Sequence, residues 1–190
     1  MFIAINIDAS IRDVLMDTVG VLKDLGVRGS FTLKENLHLT LIFVGETDRK
    51  ADVCSAIDGA IDPWDGEAFD LTLEGLGVFR REGGDILWAG IKSGELLYDL
   101  QSRLKESLLD AGFRIENRKY KPHLTLGRKV VLHDKMKKGD LVSLMPKVKQ
   151  RVEHISLMKS ERIGGKLIYT EIYRKELRIS QLSFDEKDDG

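Results

Sequence analysis

The 190-residue chain has one cysteine, Cys54, so neither an intrachain disulfide nor a cysteine metal cluster can form. Its setting, Ala51-Asp52-Val53-Cys54-Ser55-Ala56-Ile57, reads as a half-buried helix, which makes the thiol a packing group. No apolar run approaches the roughly 20 residues needed to span a bilayer. The start, Met1-Phe2-Ile3-Ala4, shows no basic region ahead of a long apolar one, so the expected location is the cytoplasm, with no membrane partner. Net charge is −1, so no global field draws nucleic acid. No Asp/Glu/His cluster has metal-ligand spacing, and neither a metal nor another cofactor is expected. No glycine-rich phosphate loop follows a strand. Glu82-Gly83-Gly84 and Ile163-Gly164-Gly165 read as turns, which leaves ATP-dependent chemistry without a site.

What is present is a repeated tetrapeptide. His-Leu-Thr-Leu occurs at His38-Leu39-Thr40-Leu41 and again at His123-Leu124-Thr125-Leu126. On a strand, with its side-chain period of two, His and Thr share one face and the two leucines the other. Each copy therefore offers an imidazole beside a hydroxyl on an apolar backing. Two such strands facing each other carry the groups for acid–base attack on a phosphodiester.

The copies sit in a longer duplication with a shift of 85 residues. That shift lays Phe2-Ile3-Ala4-Ile5-Asn6-Ile7 on Leu87-Trp88-Ala89-Gly90-Ile91-Lys92. An amphipathic helix follows each run. The first spans about Ser10 to Leu25, with Ile11, Val14, Leu15, Val19, Leu22 and Leu25 at helical spacing. The second spans about Glu95 to Ala111, with Leu96, Leu97, Leu100, Leu104, Leu108 and Leu109. Gly26 and Gly112 stop them. Each half thus reads strand, helix, motif strand. The expected architecture is α+β and bilobal: two lobes related by a pseudo-twofold axis, mostly antiparallel sheets lining a central cleft, helices outside. Residues 1–182 are expected to form one such unit and 183–190 an acidic, frayed tail.

Between and after the repeats, a helix is expected from about Arg49 to Ala60 and a strand over Phe69–Leu73. A hairpin turn or loop is expected from Phe79 to Asp85 and a strand over Ile86–Ile91. Asp134–Leu144 is weakly helical. Val152–Lys159 and Lys166–Glu176 read as strands joined at Arg162–Gly165. From Arg114 to Lys138, nine Lys/Arg stand against Glu116 and Asp134, and this basic stretch brackets the second motif. His133 and His154 lie outside any His-x-Thr setting and read as structural or surface residues.

The paired motifs resemble the 2H phosphoesterase superfamily and, within it, the RNA 2′,3′-cyclic phosphodiesterase or 2′-5′ RNA ligase family. The resemblance covers nearly the whole chain. It rests on Glu35–Leu41 followed by Phe43-Val44-Gly45-Glu46, on Leu87–Ile91, on Tyr120–Arg128 and on Ile155–Ser160. It implies His38 as proton donor and His123 as acceptor, a tie that the symmetry of the sequence leaves open. Thr40 and Thr125 would donate to the non-bridging phosphate oxygens. Five residues past each histidine stand Phe43 and Arg128, which the resemblance assigns to base stacking and to phosphate or base binding. An odd offset points both away from the histidines on a flat strand, so a bulge or a strand end must bring them round. The implied activity is metal-independent opening of RNA 2′,3′-cyclic phosphate ends to 2′-phosphates. Cleavage or joining of 2′-5′ linkages, a non-catalytic nucleotide-binding module and an RNA-binding adaptor are the alternatives. The implied partner is RNA, either tRNA or small oligoribonucleotides with cyclic phosphate ends, bound by a monomer.

Overall fold

The structure, a computed structural model, describes residues 1–92, 94–132 and 138–179. Its helices follow the apolar spacing. α1 (Ala9–Asp24) buries Ile11, Leu15, Val19 and Leu22, and α3 (Glu95–Asp110) buries Leu97, Leu100, Leu104 and Leu108. Leu96 and Leu109, which the sequence adds to the second stripe, are exposed, each one residue or about 100° off it. Leu25 is also exposed, because it caps α1 beyond its last turn. Both helices end identically. The amides of Gly26 and Val27 bond to Lys23 and Leu22, and those of Gly112 and Phe113 to Leu109 and Leu108. Gly26 and Gly112 have φ of 83° and 79° there, a conformation that carries no Cβ penalty only in glycine.

Among the described residues, nine strands form two sheets. They are β1 (Phe2–Asn6), β2 (Arg28–Phe31), β3 (His38–Phe43), β4 (Phe69–Phe79), β5 (Asp85–Lys92), β6 (His123–Val131), β7 (Val148–Val152), β8 (His154–Ile163) and β9 (Lys166–Glu176). The first sheet has the order β3-β1-β8-β9 and the second β2-β6-β5-β4-β7, with every ladder antiparallel. Leaving out edge strand β2, the two follow one plan, with a motif strand at one side and β1 or β5 next to it. The bilobal α+β expectation therefore holds.

Several details differ from the sequence reading. Phe2 lies opposite Phe43 and Ile86 opposite Arg128, so Phe2 corresponds to Ile86 and not to Leu87. The first strands are offset by one residue from the motif shift, because continuous apolar runs contain no marker of register. β4 runs on to Phe79 instead of stopping near Leu73. The strand expected over Val152–Lys159 breaks at Glu153 into the end of β7 and the start of β8. β2 and β7 are edge strands with little apolar alternation: β2 buries none of its residues, and β7 buries only Gln150 and Val152. α2 spans Lys50–Ile61 and α4 spans Lys138–Ser143. His133, the rest of the expected fourth helix before Lys138, and the 183–190 tail lie outside the described residues.

The helices are exchanged between the halves. α1, from the first half, packs under the second sheet, where Ile11, Leu15, Val19 and Leu22 meet Leu87, Ala89, Leu124 and Leu126. α3, from the second half, packs with α2 under the first sheet, where Leu97, Leu100 and Leu104 meet Ile3, Ile5, Leu39 and Leu41. Each fully buried leucine contributes about 1.5–3 kcal/mol. The four on α3 thus supply a gross burial term of about 6–12 kcal/mol, most of which offsets the conformational entropy lost on folding. Among the described residues no helix is long and apolar enough to cross a membrane.

Candidate active site

The two motif strands share a bulge at the same place. In β1–β3, Ile3 faces Ile42 and Ala4 faces Thr40, skipping Leu41. In β5–β6, Leu87 faces Gly127 and Trp88 faces Thr125, skipping Leu126. A bulge inserts one residue and reverses the alternation beyond it. Leu41 and Ile42 are therefore buried in succession and Phe43 emerges, 53% exposed. Leu126 and Gly127 are likewise buried and Arg128 emerges. Phe43 and Arg128 thus come round to the face of the histidines. Past Arg128 the strand bulges again at Lys129, a non-glycine residue at φ 51°, and Val130 returns to the core. Such a conformation costs about 1–3 kcal/mol. Its effect here is to leave Arg128 projecting between two inward-facing segments.

Both imidazoles are fixed by the same contact. His38 Nδ1 bonds to the Asn36 carbonyl and His123 Nδ1 to the Lys121 carbonyl, each at 2.7 Å. A carbonyl only accepts, so Nδ1 carries the hydrogen and Nε2 is left for chemistry. His38 Nε2 meets the Thr40 hydroxyl at 2.8 Å. Burial holds the pKa of His38 below its usual value. The Asn36 carbonyl works against that, and the charges of Arg128 and His123 add to it. His123 is also held low, first by burial, against the pull of the Lys121 carbonyl, then by Arg118 and Arg128. Both rings are therefore biased toward the neutral form until an anion arrives, and the charge of Arg128 acts on both of them.

Aromatic rings frame each histidine. Phe2 lies 4.7 Å from His38 and Tyr169 stands edge-on at 5.2 Å, while Phe79 stands edge-on to His123 at 4.9 Å. Trp88 stacks against Phe79 and lies across Gly77, where a Cβ would come within 2.1 Å of the indole. The sequence reading missed these four rings. Phe2 and Trp88 sit on strands that it identified, but face assignment needed the register. The sequence reading puts Phe79 at the start of a loop, whereas it is the last residue of β4, and Tyr169 lies on a strand that no local pattern brings beside His38.

The segments leading into the motifs brace each other. Thr32, at the end of β2, donates its hydroxyl to the Thr125 carbonyl at 2.9 Å. Tyr120, just ahead of β6, donates its hydroxyl to the Thr40 carbonyl at 3.1 Å. Buried Gln150 adds a third tie: its Nε2 donates to the Asn6 carbonyl at 2.7 Å and its Oε1 accepts the Asp8 amide. The Tyr120 and Gln150 bonds span the two sheets, which approach each other at β3 and β6, while the Thr32 bond ties the segment after β2 to β6 within the second sheet.

His154 opens β8, and its charge acts on Glu171. Among the described residues no group of three or more His, Cys, Asp or Glu is placed to hold a metal ion.

Two matched strands, each with a carbonyl-held imidazole and a hydroxyl, define a two-histidine cleft of the phosphoesterase kind. The family model of the 2′-5′ RNA ligase superfamily matches residues 27–164, and the chain belongs to that family. It is similar to the RNA 2′,3′-cyclic phosphodiesterase of Methanothermobacter thermautotrophicus, 32% identical over 90% of this chain and 95% of that one. It is also similar to the RNA 2′,3′-cyclic phosphodiesterase of Thermotoga maritima, 27% identical over 90% and 92%. Among solved structures, Escherichia coli LigT complexed with 3′-AMP superposes with a TM-score of 0.72, at 25% identity over 93% of this chain and 95% of that one.

Proposed function

We infer that this protein is an RNA 2′,3′-cyclic phosphodiesterase that opens cyclic phosphate ends to 2′-phosphates by acid–base catalysis without a metal. The observation that carries this reading is the pair of equivalent strands on which each Nδ1 is tied back to a backbone carbonyl and Nε2 is left for chemistry, that of His38 against the Thr40 hydroxyl. A water attacks phosphorus in line with O3′. His123 Nε2 takes the proton of the water, the P–O3′ bond breaks, and His38 Nε2 protonates the departing oxygen. Thr40, Thr125 and Arg128 stabilise the charge that develops on the non-bridging oxygens. The charge of the bound phosphate raises the pKa of the nearby imidazoles, so that one becomes the acid. Phe43 supplies an exposed ring for base stacking.

The substrate on this reading is an RNA end, a tRNA fragment or a small oligoribonucleotide, handled by a monomer in the cytoplasm. Residues 1–182 act as one unit. The test is incubation with a 2′,3′-cyclic-phosphate oligoribonucleotide in excess EDTA. The expected product has gained one water and ends in a 2′-phosphate. Complete loss of activity that Mg²⁺ or Mn²⁺ restores would sink the metal-free mechanism. Binding without turnover would reassign the protein as a nucleotide-binding module.

A further inference from the structure

The two histidines do not face equivalent neighbours. Asn6 stands directly across the ladder from His38, and Gly90 directly across from His123. A Cβ at Gly90 would lie 2.6 Å from the Glu74 carbonyl oxygen, so no amide side chain fits opposite His123. Asn6, by contrast, is held in a fixed orientation. Its Nδ2 donates to Ser156 Oγ and to Glu171 Oε2, each at 3.0 Å. Ser156 is fully buried and donates its hydroxyl to the same carboxylate oxygen, and Arg174 Nε donates to the other at 3.0 Å. Burial opposes ionisation of Glu171, yet the bonds from Ser156 and Arg174 and the charges of Arg174 and His154 hold its pKa below the usual carboxylate range. An ionised carboxylate only accepts, so it forces the amide nitrogen of Asn6 toward itself. Asn6 Oδ1 is then turned away from the network, and among the described residues it has no hydrogen-bond partner.

We propose that Asn6 is a specificity-determining residue that selects which ring oxygen of the cyclic phosphate leaves. This rests on the reading of the cleft as a cyclic phosphodiesterase site. When the P–O3′ bond breaks, its electron pair stays on O3′, which takes the proton from His38 Nε2. The new hydroxyl needs an acceptor; Asn6 stands across the ladder from His38, and its Oδ1, left unused by the bonds that hold Nδ2, is the acceptor we assign. No such acceptor stands across from His123. The ribose is therefore seated with one oxygen toward His38 and Asn6, and that oxygen departs. Ser156 and Glu171 act through Asn6 by fixing its amide.

The test uses 2′,3′-cyclic AMP with wild type, Asn6→Ala and Ser156→Ala. The measurements are kcat, KM, the ratio of 2′- to 3′-phosphate products and the thermal midpoint. Wild type is expected to give the 2′-phosphate alone. Asn6→Ala is expected to lose about tenfold in kcat, the scale of one hydrogen bond, and to release a measurable share of the 3′-isomer. Ser156→Ala, which leaves Asn6 present but loosely held, shifts the ratio the same way by less. A pure 2′-product from Asn6→Ala, at any rate or thermal midpoint, would overturn the role of Asn6 while leaving the phosphodiesterase reading intact. A wild-type protein that does not open the ring would overturn that reading, and this inference with it.

Discussion

The lobe around His38 and the lobe around His123 have the same backbone and different chemistry. Strand order, register, bulge position and the carbonyl that holds Nδ1 all recur. The side chains around them do not. Where the first lobe has Ala4, Asn6 and Phe43, the second has Trp88, Gly90 and Arg128. His38 lies among Phe2, Tyr169 and Thr40, while His123 is more open beside Phe79. Duplication thus supplies two identically aimed imidazoles, and substitution on a retained frame makes them unequal. On the proposed mechanism, one fold element does acid work at one end of a substrate and base work at the other.

The sharpest way to break this comparison is to remove the imidazoles. His38→Ala and His123→Ala are each expected to cut turnover by roughly 10²–10⁴-fold. The double variant is expected to fall far short of the product of the two, because they act as a unit. His154→Ala stays near wild type. Equal damage at His154 would mean that the chemistry is located elsewhere.

Arg128→Ala tests a group that only one lobe has. Losing a preorganised donor to the developing charge is expected to cost about 10²-fold. Its pH signature has a definite sign. Both imidazoles titrate below the ordinary value of about 6.5 in the folded protein, so the acid limb of kcat/KM lies below that pH. Removing the positive charge of Arg128 lets both values rise, and the limb moves to higher pH. For stability, groups whose folded pKa is depressed contribute fully above about pH 6.5 and lose that contribution as pH falls. An unmoved limb in Arg128→Ala would place the guanidinium away from both rings.

The braces test whether the lobes work in register. Tyr120→Phe and Thr32→Val each remove one hydroxyl bond to a motif carbonyl and leave the shape intact. Each is expected to lower kcat by roughly five- to tenfold with little change in KM, the scale of one hydrogen bond. Because the two bonds cross-tie the segments that lead into β3 and β6, one within the second sheet and one between the sheets, the double variant is expected to show coupling in a mutant cycle. Additive losses would mean that each brace serves its own strand.

The smallest effect is one of salt. Arg114, Arg118, Lys119 and Lys121 lead into the second motif, and the first has no such run. Binding of a cyclic-phosphate oligoribonucleotide is therefore expected to weaken with added salt more steeply than binding of a cyclic mononucleotide. Equal slopes would return this stretch to ordinary solvated surface.

Much of the fold was legible because the motif and the helical stripes are local patterns. His38, Thr40, His123 and Thr125 could be read from a four-residue repeat, and α1 and α3 from apolar spacing ended by Gly26 and Gly112. What stayed hidden was set by pairing. The bulges at Leu41 and Leu126 bring Phe43 and Arg128 to the site face, and the sequence showed only that something must. Asn6 carried a local signal, a polar residue ending an apolar strand, but its partners Ser156 and Glu171 lie some 150 residues away. Tyr169 is legible as strand and not as a neighbour of His38, because nothing in its own segment names β1 or β3 as close by. β2 and β7 escaped detection since edge strands need not alternate.

The exchange of helices also fixes an order of events during synthesis. The apolar stripe of α1 is made first, yet its covering strands β5 and β6 are completed only at Val131. At about 5–20 residues per second, the helix waits on the order of ten seconds with Ile11, Leu15, Val19 and Leu22 uncovered. The early nascent chain is therefore a sticky amphipathic helix beside an unfinished sheet. Its hazard on the ribosome is association with neighbouring nascent chains, and a chain cut short before β6 would present the same surface permanently.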